Sequence, residues 1–171
     1  MIIVCPLSDL PMAIREEKPS AVATLLSPHQ MIPEIRSVPE GTHLRLEMED
    51  VSEERRGEMS PSETHVNELI SFVRRWDQTG PLIVHCWAGI SRSTAGALIA
   101  QVTLRPEADD MELADQLGIA APHAKPNRLL IQYADKALGR GGRLIAAANS
   151  VWTDVSVYEG YRFYYPLHGS T

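Results

Sequence analysis

The sequence predicts an α/β fold in which a small, mostly parallel central sheet is flanked by helices. One observation is a set of short, continuously apolar runs at residues 2–5, 21–26 and 82–86. Runs of this kind are typical of strands that are buried on both faces of a sheet. A second observation is that helical patterns lie between and after these runs, without an internal repeat or a low-complexity linker.

The segments around the second strand are short. Residues 9–19 have room for only a short helix. From residue 42 to residue 48 apolar and polar side chains alternate, which predicts a strand with one wet face or an edge position. The apolar face of this strand carries Leu44, Leu46 and Met48.

A helix start is predicted at Ser60, in the sequence Ser-Pro-Ser-Glu. Ser60 can cap the helix, Pro61 suits the first helical position, and Glu63 stands where a capping box needs an acid. The helix is predicted to run to about residue 76. Its apolar stripe consists of Val66, Leu69, Ile70, Val73 and Trp76.

The second half of the chain predicts a strand at 82–86 and a helix over 93–104, and these two elements meet at one tight turn. Asn127 is the expected cap of a later helix. The tail from residue 157 to residue 165 fits either a strand or a strap over the core. Further helices are predicted at 109–117, 127–138 and 142–148.

Composition and charge predict that residues 1–171 form a single domain. Residues 151–171 are an aromatic tail of this domain, and their packing is undetermined. Of the 171 residues, 44 % are apolar, as in an ordinary globular protein. The formal net charge is −6, and the chain has no run of Lys and Arg. Because no broad positive surface results, we expect neither nucleic-acid binding nor membrane binding.

Two cysteines cannot form a disulfide framework, and no Cys/His spacing suggests a metal site. The first six residues have no basic region, and their apolar run is too short for a signal peptide. We therefore expect a cytoplasmic protein without a metal. Cys5 is expected to pack in the core; the alternative is a thiol that protects oxidised Cys86.

The most informative segment is the decapeptide from His85 to Thr94, which reads HCWAGISRST. It places a cysteine at the end of a buried strand, then a five-residue loop, then Arg92 at the start of a helix. Successive backbone amides in such a loop can form a nest for a tetrahedral anion, and the helix N-terminus adds partial positive charge. Arg92 can pair two phosphate oxygens, and Gly89 permits the turn.

The same positive field favours the thiolate of Cys86, which is the nucleophilic form. An anion site and an activated nucleophile therefore coincide. This combination points to phosphoryl transfer through a cysteinyl-phosphate.

The segment His85-Cys86, five residues, Arg92 and Ser93 resembles the signature loop of the cysteine-dependent protein tyrosine phosphatases. The sequence from Ala88 to Ser93 is most similar to the dual-specificity-like branch of this family, and in particular to its compact bacterial members. The resemblance covers about residues 42–127. It implies a protein tyrosine phosphatase-like fold and a metal-independent phosphomonoester hydrolase that needs no cofactor. Its substrates would be phosphorylated proteins or small phosphomonoesters, while the oligomeric state stays open.

The resemblance also implies roles for the residues of the loop. Cys86 would be the nucleophile, Ser93 would donate a hydrogen bond to its sulfur, and His85 would support the loop. The guanidinium of Arg92 would bind phosphate and stabilise the transition state. The backbone amides that bind phosphate would be those of Trp87, Ala88, Gly89, Ile90, Ser91 and Arg92.

A general acid must protonate the departing oxygen, and the family takes it from an aspartate on a loop that precedes the cysteine. Asp50, at the end of the third predicted strand, is the best match. The segment after it is longer than usual, so Glu49, Glu53 and Glu54 stay open as alternatives.

Other interpretations remain beside this one. The Trp87 ring can line the mouth of the pocket or pack against the acid loop. A catalytically weak or inactive module that binds phosphorylated partners is the main alternative function. Less favoured are a rhodanese-like sulfurtransferase and an arsenate reductase, since both also use a cysteine loop with an arginine.

Overall fold

The computed structural model describes residues 1–54 and 56–167 and has a five-stranded central sheet. The strand order is β3-β2-β4-β1-β5; β1 to β4 are parallel, and β5 is antiparallel to β1. The prediction of a small, mostly parallel sheet is therefore confirmed. The strands are β1 (Ile2–Pro6), β2 (Ala21–Leu26), β3 (His43–Glu47), β4 (Leu82–Cys86) and β5 (Phe163–Tyr165).

Helices cover both faces of this sheet. Residues of α1 pack on one face, while the core on the other face includes residues of α2 to α6. None of the helices in the described ranges is long and apolar enough to span a bilayer. The helices are α1 (Leu10–Glu17), α2 (Glu63–Arg75), α3 (Arg92–Leu104), α4 (Asp110–Ala120), α5 (Arg128–Ala137) and α6 (Arg143–Ser150), with a short 3-10 helix at Pro28–Gln30.

The strands send alternate side chains into two separate apolar clusters, as the pleat of a sheet requires. Cys86 belongs to the larger cluster, on the side of α2 to α6, whereas Cys5 belongs to the smaller one, beside α1. Both thiols are free and buried, and burial raises the pKa of Cys5 to about 12. Because the two sulfurs lie on opposite faces, the structure favours the core role of Cys5 over a disulfide with Cys86.

The predicted start of α2 is wrong by two residues. Ser62, not Ser60, caps the helix: its hydroxyl accepts from the His65 amide, and the His65 side chain accepts from the Ser62 amide. Ser62 has the extended backbone of a cap, with φ −139° and ψ 166°, and the residues before it stay beside β3, where the Met59 carbonyl accepts from the Glu49 amide at 2.8 Å. A neutral imidazole thus takes the capping-box position that the sequence pattern assigns to a glutamate.

The aromatic tail forms an edge strand. Of the two alternatives for residues 157–165, the structure assigns a strand to Phe163–Tyr165, which pairs with Ile2, Ile3 and Val4 of β1. Tyr165 is fully buried, and its hydroxyl donates to the carbonyl of Leu113 at 2.6 Å. Residues 163–165 of the tail are therefore part of the sheet.

Candidate active site

The junction between β4 and α3 forms a loop over residues 86–92, called here the signature loop. Four backbone amides from three other segments donate to its carbonyl oxygens, so these oxygens point outward. Because the carbonyls of consecutive peptides point outward, their N–H groups turn toward the inside of the loop and form an anion nest. The donor–acceptor pairs are Leu7 to Trp87 (3.0 Å), Gly160 to Ala88 (2.8 Å), Lys125 to Ile90 (2.9 Å) and Asn127 to Ser91 (3.2 Å).

Gly89 is required at the tightest point of this loop. Its φ is +71°, in the left-handed region that favours glycine. A Cβ at Gly89 would also lie 2.9 Å from the backbone nitrogen of Pro6 at the end of β1. The loop therefore packs against β1 at a distance that no side chain permits.

Cys86 lies at the base of the loop and is 1 % exposed. Its Sγ is 3.1 Å from the hydroxyl of Ser93, in the first turn of α3. Ser93 is fully buried, and Arg92, the first residue of α3, is 3 % exposed. The thiol, the hydroxyl and the guanidinium that the sequence singles out thus belong to one buried site.

Arg92 is held from one side and open on the other. Its Nη1 donates to the carbonyl of Met48 at 2.7 Å and to the Ser27 hydroxyl at 3.3 Å. Its Nε has no hydrogen-bond partner among the described residues, and lies 3.8 Å from the Asp50 carboxylate. A buried, unpaired guanidinium N–H is ready to bind an anion.

Asp50 is the acid that contacts the signature loop. Its Oδ1 accepts from the Ser91 hydroxyl at 2.6 Å and from the Asn127 amide at 3.0 Å, while its side chain stays 40 % exposed. The alternative candidates for the general acid do not contact the signature loop in this way. Glu49 accepts from Ser27 at 2.7 Å, Glu54 accepts from the Tyr133 hydroxyl, and Glu53 is exposed.

His85 points to the opposite face of the sheet, into a chain of hydrogen bonds. The Ile35 amide donates to Nδ1 of His43, so a neutral His43 carries its proton on Nε2, which lies 2.8 Å from Thr24 Oγ1. The Thr24 hydroxyl can then donate to His85 Nε2 at 2.7 Å, which leaves the proton of His85 on Nδ1. Burial lowers the pKa of His85 to about 3 and that of His43 to about 4, so both rings are neutral at pH 7.

The sequence predicted only that Asn127 caps a helix. In the structure Asn127 also contacts the segment that carries Asp50. Its side-chain oxygen accepts from the Leu130 amide at 3.2 Å, as expected for the cap of α5. Its side-chain nitrogen donates to Asp50 and, at 3.0 Å, to the carbonyl of Val51. A Pro-Asn pair before a helix is the only sequence signal at this position, and it does not reveal a contact with residues so far back in the chain.

A cavity of about 500 Å³ opens over the signature loop. Trp87 lines this cavity and is 47 % exposed, so its ring lies at the mouth of the pocket. Within residues 1–54 and 56–167, no group of three or more His, Cys, Asp or Glu side chains could hold a metal ion. Other lining residues are Ser27, Glu49, Asp50, Val51 and Arg92.

Comparison with family models matches residues 55–122 to the protein-tyrosine phosphatase family. The matched segment contains β4, the whole signature loop and α3. This segment, which is less than half of the chain, is similar to that family. The resemblance predicted from the signature loop is thereby confirmed.

Solved structures of several phosphatases have a fold similar to that of this chain. DUSP15 superposes with a TM-score of 0.60 at 20 % identity, over 90 % of this chain and 94 % of that one. Human DUSP28 superposes with a TM-score of 0.61 at 16 % identity, over 81 % and 92 %. The PTP-2 phosphatase of Cydia pomonella superposes with a TM-score of 0.59 at 19 % identity, over 79 % and 84 %. Comparison with curated protein sequences finds no match.

Proposed function

We propose that this phosphatase hydrolyses phosphomonoesters without a metal, in two steps, through a phosphate bound covalently to Cys86. The observation that carries the proposal is the Asp50 carboxylate bonded to Ser91 of the same loop that holds Cys86 and Arg92. A nucleophile, an anion cradle and a proton donor are thereby gathered at the signature loop.

In the first step, the Cys86 sulfur attacks phosphorus while the bond from phosphorus to the leaving oxygen breaks. Asp50, in its acid form, gives its proton to that oxygen, so an alcohol or phenol leaves. The inward amides of the signature loop and the open side of the Arg92 guanidinium hold the equatorial oxygens, where charge is greatest in the transition state.

In the second step, water attacks phosphorus and the sulfur–phosphorus bond breaks. The Asp50 carboxylate takes a proton from that water, which restores the acid. Ser93, 3.1 Å from Sγ, donates a hydrogen bond to the departing thiolate and stabilises its charge. His85 does not exchange protons with the substrate, because its ring lies on the other face of the sheet; it supports the loop from below.

The substrates we propose are phosphorylated proteins or small phosphomonoesters. The open mouth beside Trp87 admits a substituent of varied size. We further propose that residues 1–171 act as one domain in the cytoplasm, where the two free thiols persist in reduced form. The acidic net charge is unfavourable to nucleic-acid and membrane partners.

A module that binds phosphorylated partners without turnover is the second candidate function. It is favoured by a structural neighbour described as a human tyrosine phosphatase-like serine/threonine/tyrosine-interacting protein, with a TM-score of 0.54 and 15 % identity. The complete set of Cys86, Arg92 and Asp50 favours turnover instead. Thiosulfate transfer and arsenate reduction, assayed beside phosphatase activity, test the sulfurtransferase and reductase alternatives.

The deciding experiment is hydrolysis of p-nitrophenyl phosphate with a chelator present. We expect wild-type turnover that orthovanadate inhibits and that Cys86→Ala abolishes. Cys5→Ala is the matched control: it removes the other buried thiol, on the opposite face of the sheet, and should keep the activity. A wild type that binds phosphate but shows no turnover would make the binding module the better interpretation.

A further inference from the structure

The C-terminal strap, residues 158–165, lies against the outer side of the signature loop. We propose that Gly160 of this strap is a positioning residue for the phosphate-binding amides, an inference that rests on the proposed function. The Gly160 amide donates to the carbonyl of Ala88 at 2.8 Å. This bond is one of the four that turn the loop carbonyls outward and its N–H groups inward.

The strap and β1 enclose the loop from two sides, and both close approaches occur at glycines. On one side, Gly89 leaves no room for a Cβ beside Pro6. On the other side, a Cβ at Gly160 would lie 3.1 Å from the carbonyl oxygen of Gly89. The signature loop therefore has little freedom to move toward either neighbour.

His123 closes the third side of this contact. A Cβ at Gly160 would lie 2.5 Å from its Nε2 and 2.8 Å from its Cδ2. The ring is 2 % exposed and packs edge-on at 4.4 Å from the Tyr161 ring and 6.0 Å from the Phe163 ring. A Cβ at Gly160 would therefore press on the His123 ring as well as on the loop carbonyl.

The strap is anchored independently of the site. Arg162 donates to Asp9 at 2.7 and 3.0 Å, to Glu16 at 2.7 Å and to Glu17 at 3.0 Å. The pairing of β5 with β1 follows directly in the chain. The strap is thus held by contacts of its own, and crowding at Gly160 acts on the signature loop and on His123.

The test compares Gly160→Ala with Gly118→Ala, which adds the same methyl group in α4, where nothing lies within 4 Å. Iodoacetate alkylation of Cys86, mapped by mass spectrometry, is measured against pH and against inorganic phosphate as a protecting ligand. For Gly160→Ala we expect phosphate protection weaker by about tenfold, since misplacing a site by a fraction of an ångström costs on that order. We also expect half-maximal alkylation at a higher pH, since displaced amides stabilise the thiolate less. Gly118→Ala should match the wild type in both.

Arg162→Ala is a second variant, which loosens the strap without adding an atom near the loop. Arg74→Ala, on the exposed face of α2, is its control. We expect Arg162→Ala to weaken phosphate protection several-fold and Arg74→Ala to leave it unchanged. If Gly160→Ala and Arg162→Ala both behave as their controls do, the proposal is overturned. Alkylation requires no turnover, so an inactive wild type would refute the proposed function without deciding the role of Gly160.

Discussion

Single contacts distinguish Asp50 from the other acids near the site. Glu49 and Glu54 each accept a hydrogen bond from a side chain outside the signature loop, whereas Asp50 accepts one from Ser91 within it. Asp50 is also half-exposed, so a water molecule can reach it. These two properties, contact with the loop and access to water, are those that a shared acid and base needs.

Asp50→Ala should lower kcat by roughly 10²–10⁴-fold on substrates with poor leaving groups, because their departing oxygen needs a proton. The loss should be much smaller on aryl phosphates with activated leaving groups. Steady-state kinetics on a series of leaving groups measures the difference, with Glu53→Gln as the control in the same segment. An equal and small loss across the series would assign the role to a neighbouring glutamate.

At the level of elements, Asn127 links the start of α5 to the loop that carries Asp50. One side-chain atom caps the helix and the other bonds the acid and the Val51 carbonyl. The helix position and the acid position are therefore coupled through one residue of 1 % exposure. The α5 helix is consequently part of the support for the acid.

Two substitutions separate these two tasks. Asn127→Ser keeps an oxygen that can cap the helix but is too short to bond Asp50, so we expect kcat on poor leaving groups to fall about tenfold with little loss of stability. Asn127→Ala should lose the same activity and, in addition, about 1 kcal/mol of unfolding free energy from the missing cap. Urea unfolding and leaving-group kinetics measure the two effects. Full activity of Asn127→Ser would contradict the coupling.

On the scale of the whole molecule, burial keeps several histidines neutral. Of the five histidines within the described ranges, four have a lowered pKa, in each case mainly because burial disfavours the charged ring: His43, His65, His85 and His123. In the unfolded chain these rings take up protons near pH 6.5. The unfolded state therefore binds more protons than the folded state once the pH falls below that value.

The free energy of unfolding should consequently decrease from pH 7 to pH 5. His85, with its pKa lowered to about 3, contributes a loss of about 2 kcal/mol over this interval, at about 1.4 kcal/mol per pH unit below 6.5. Urea unfolding at both pH values measures the effect. His43→Gln should reduce the slope, while His29→Gln, at an exposed position, should not. Equal stability at pH 7 and pH 5 would show that these rings are not held neutral.

The sequence by itself determined the local elements and the chemistry of one segment. Continuous apolar runs identify buried strands, and the spacing of Cys86, Gly89, Arg92 and Ser93 defines the signature loop, because both depend on residues that are neighbours in the chain. Helix and strand positions were mostly correct for the same reason. The start of α2 was wrong because Ser62 offers the same hydroxyl as Ser60, and its extended backbone and its bond with the His65 amide make it the cap.

Only the tertiary structure decided the contacts between distant parts of the chain. It brought Asp50 and Asn127 together beside Ser91, joined His85 to His43 through Thr24, and placed Gly160 against Ala88. Each contact joins separate elements, so it depends on packing and register. A local sequence pattern does not determine packing or register, because many sequences with the same local periodicity pack their elements against different partners.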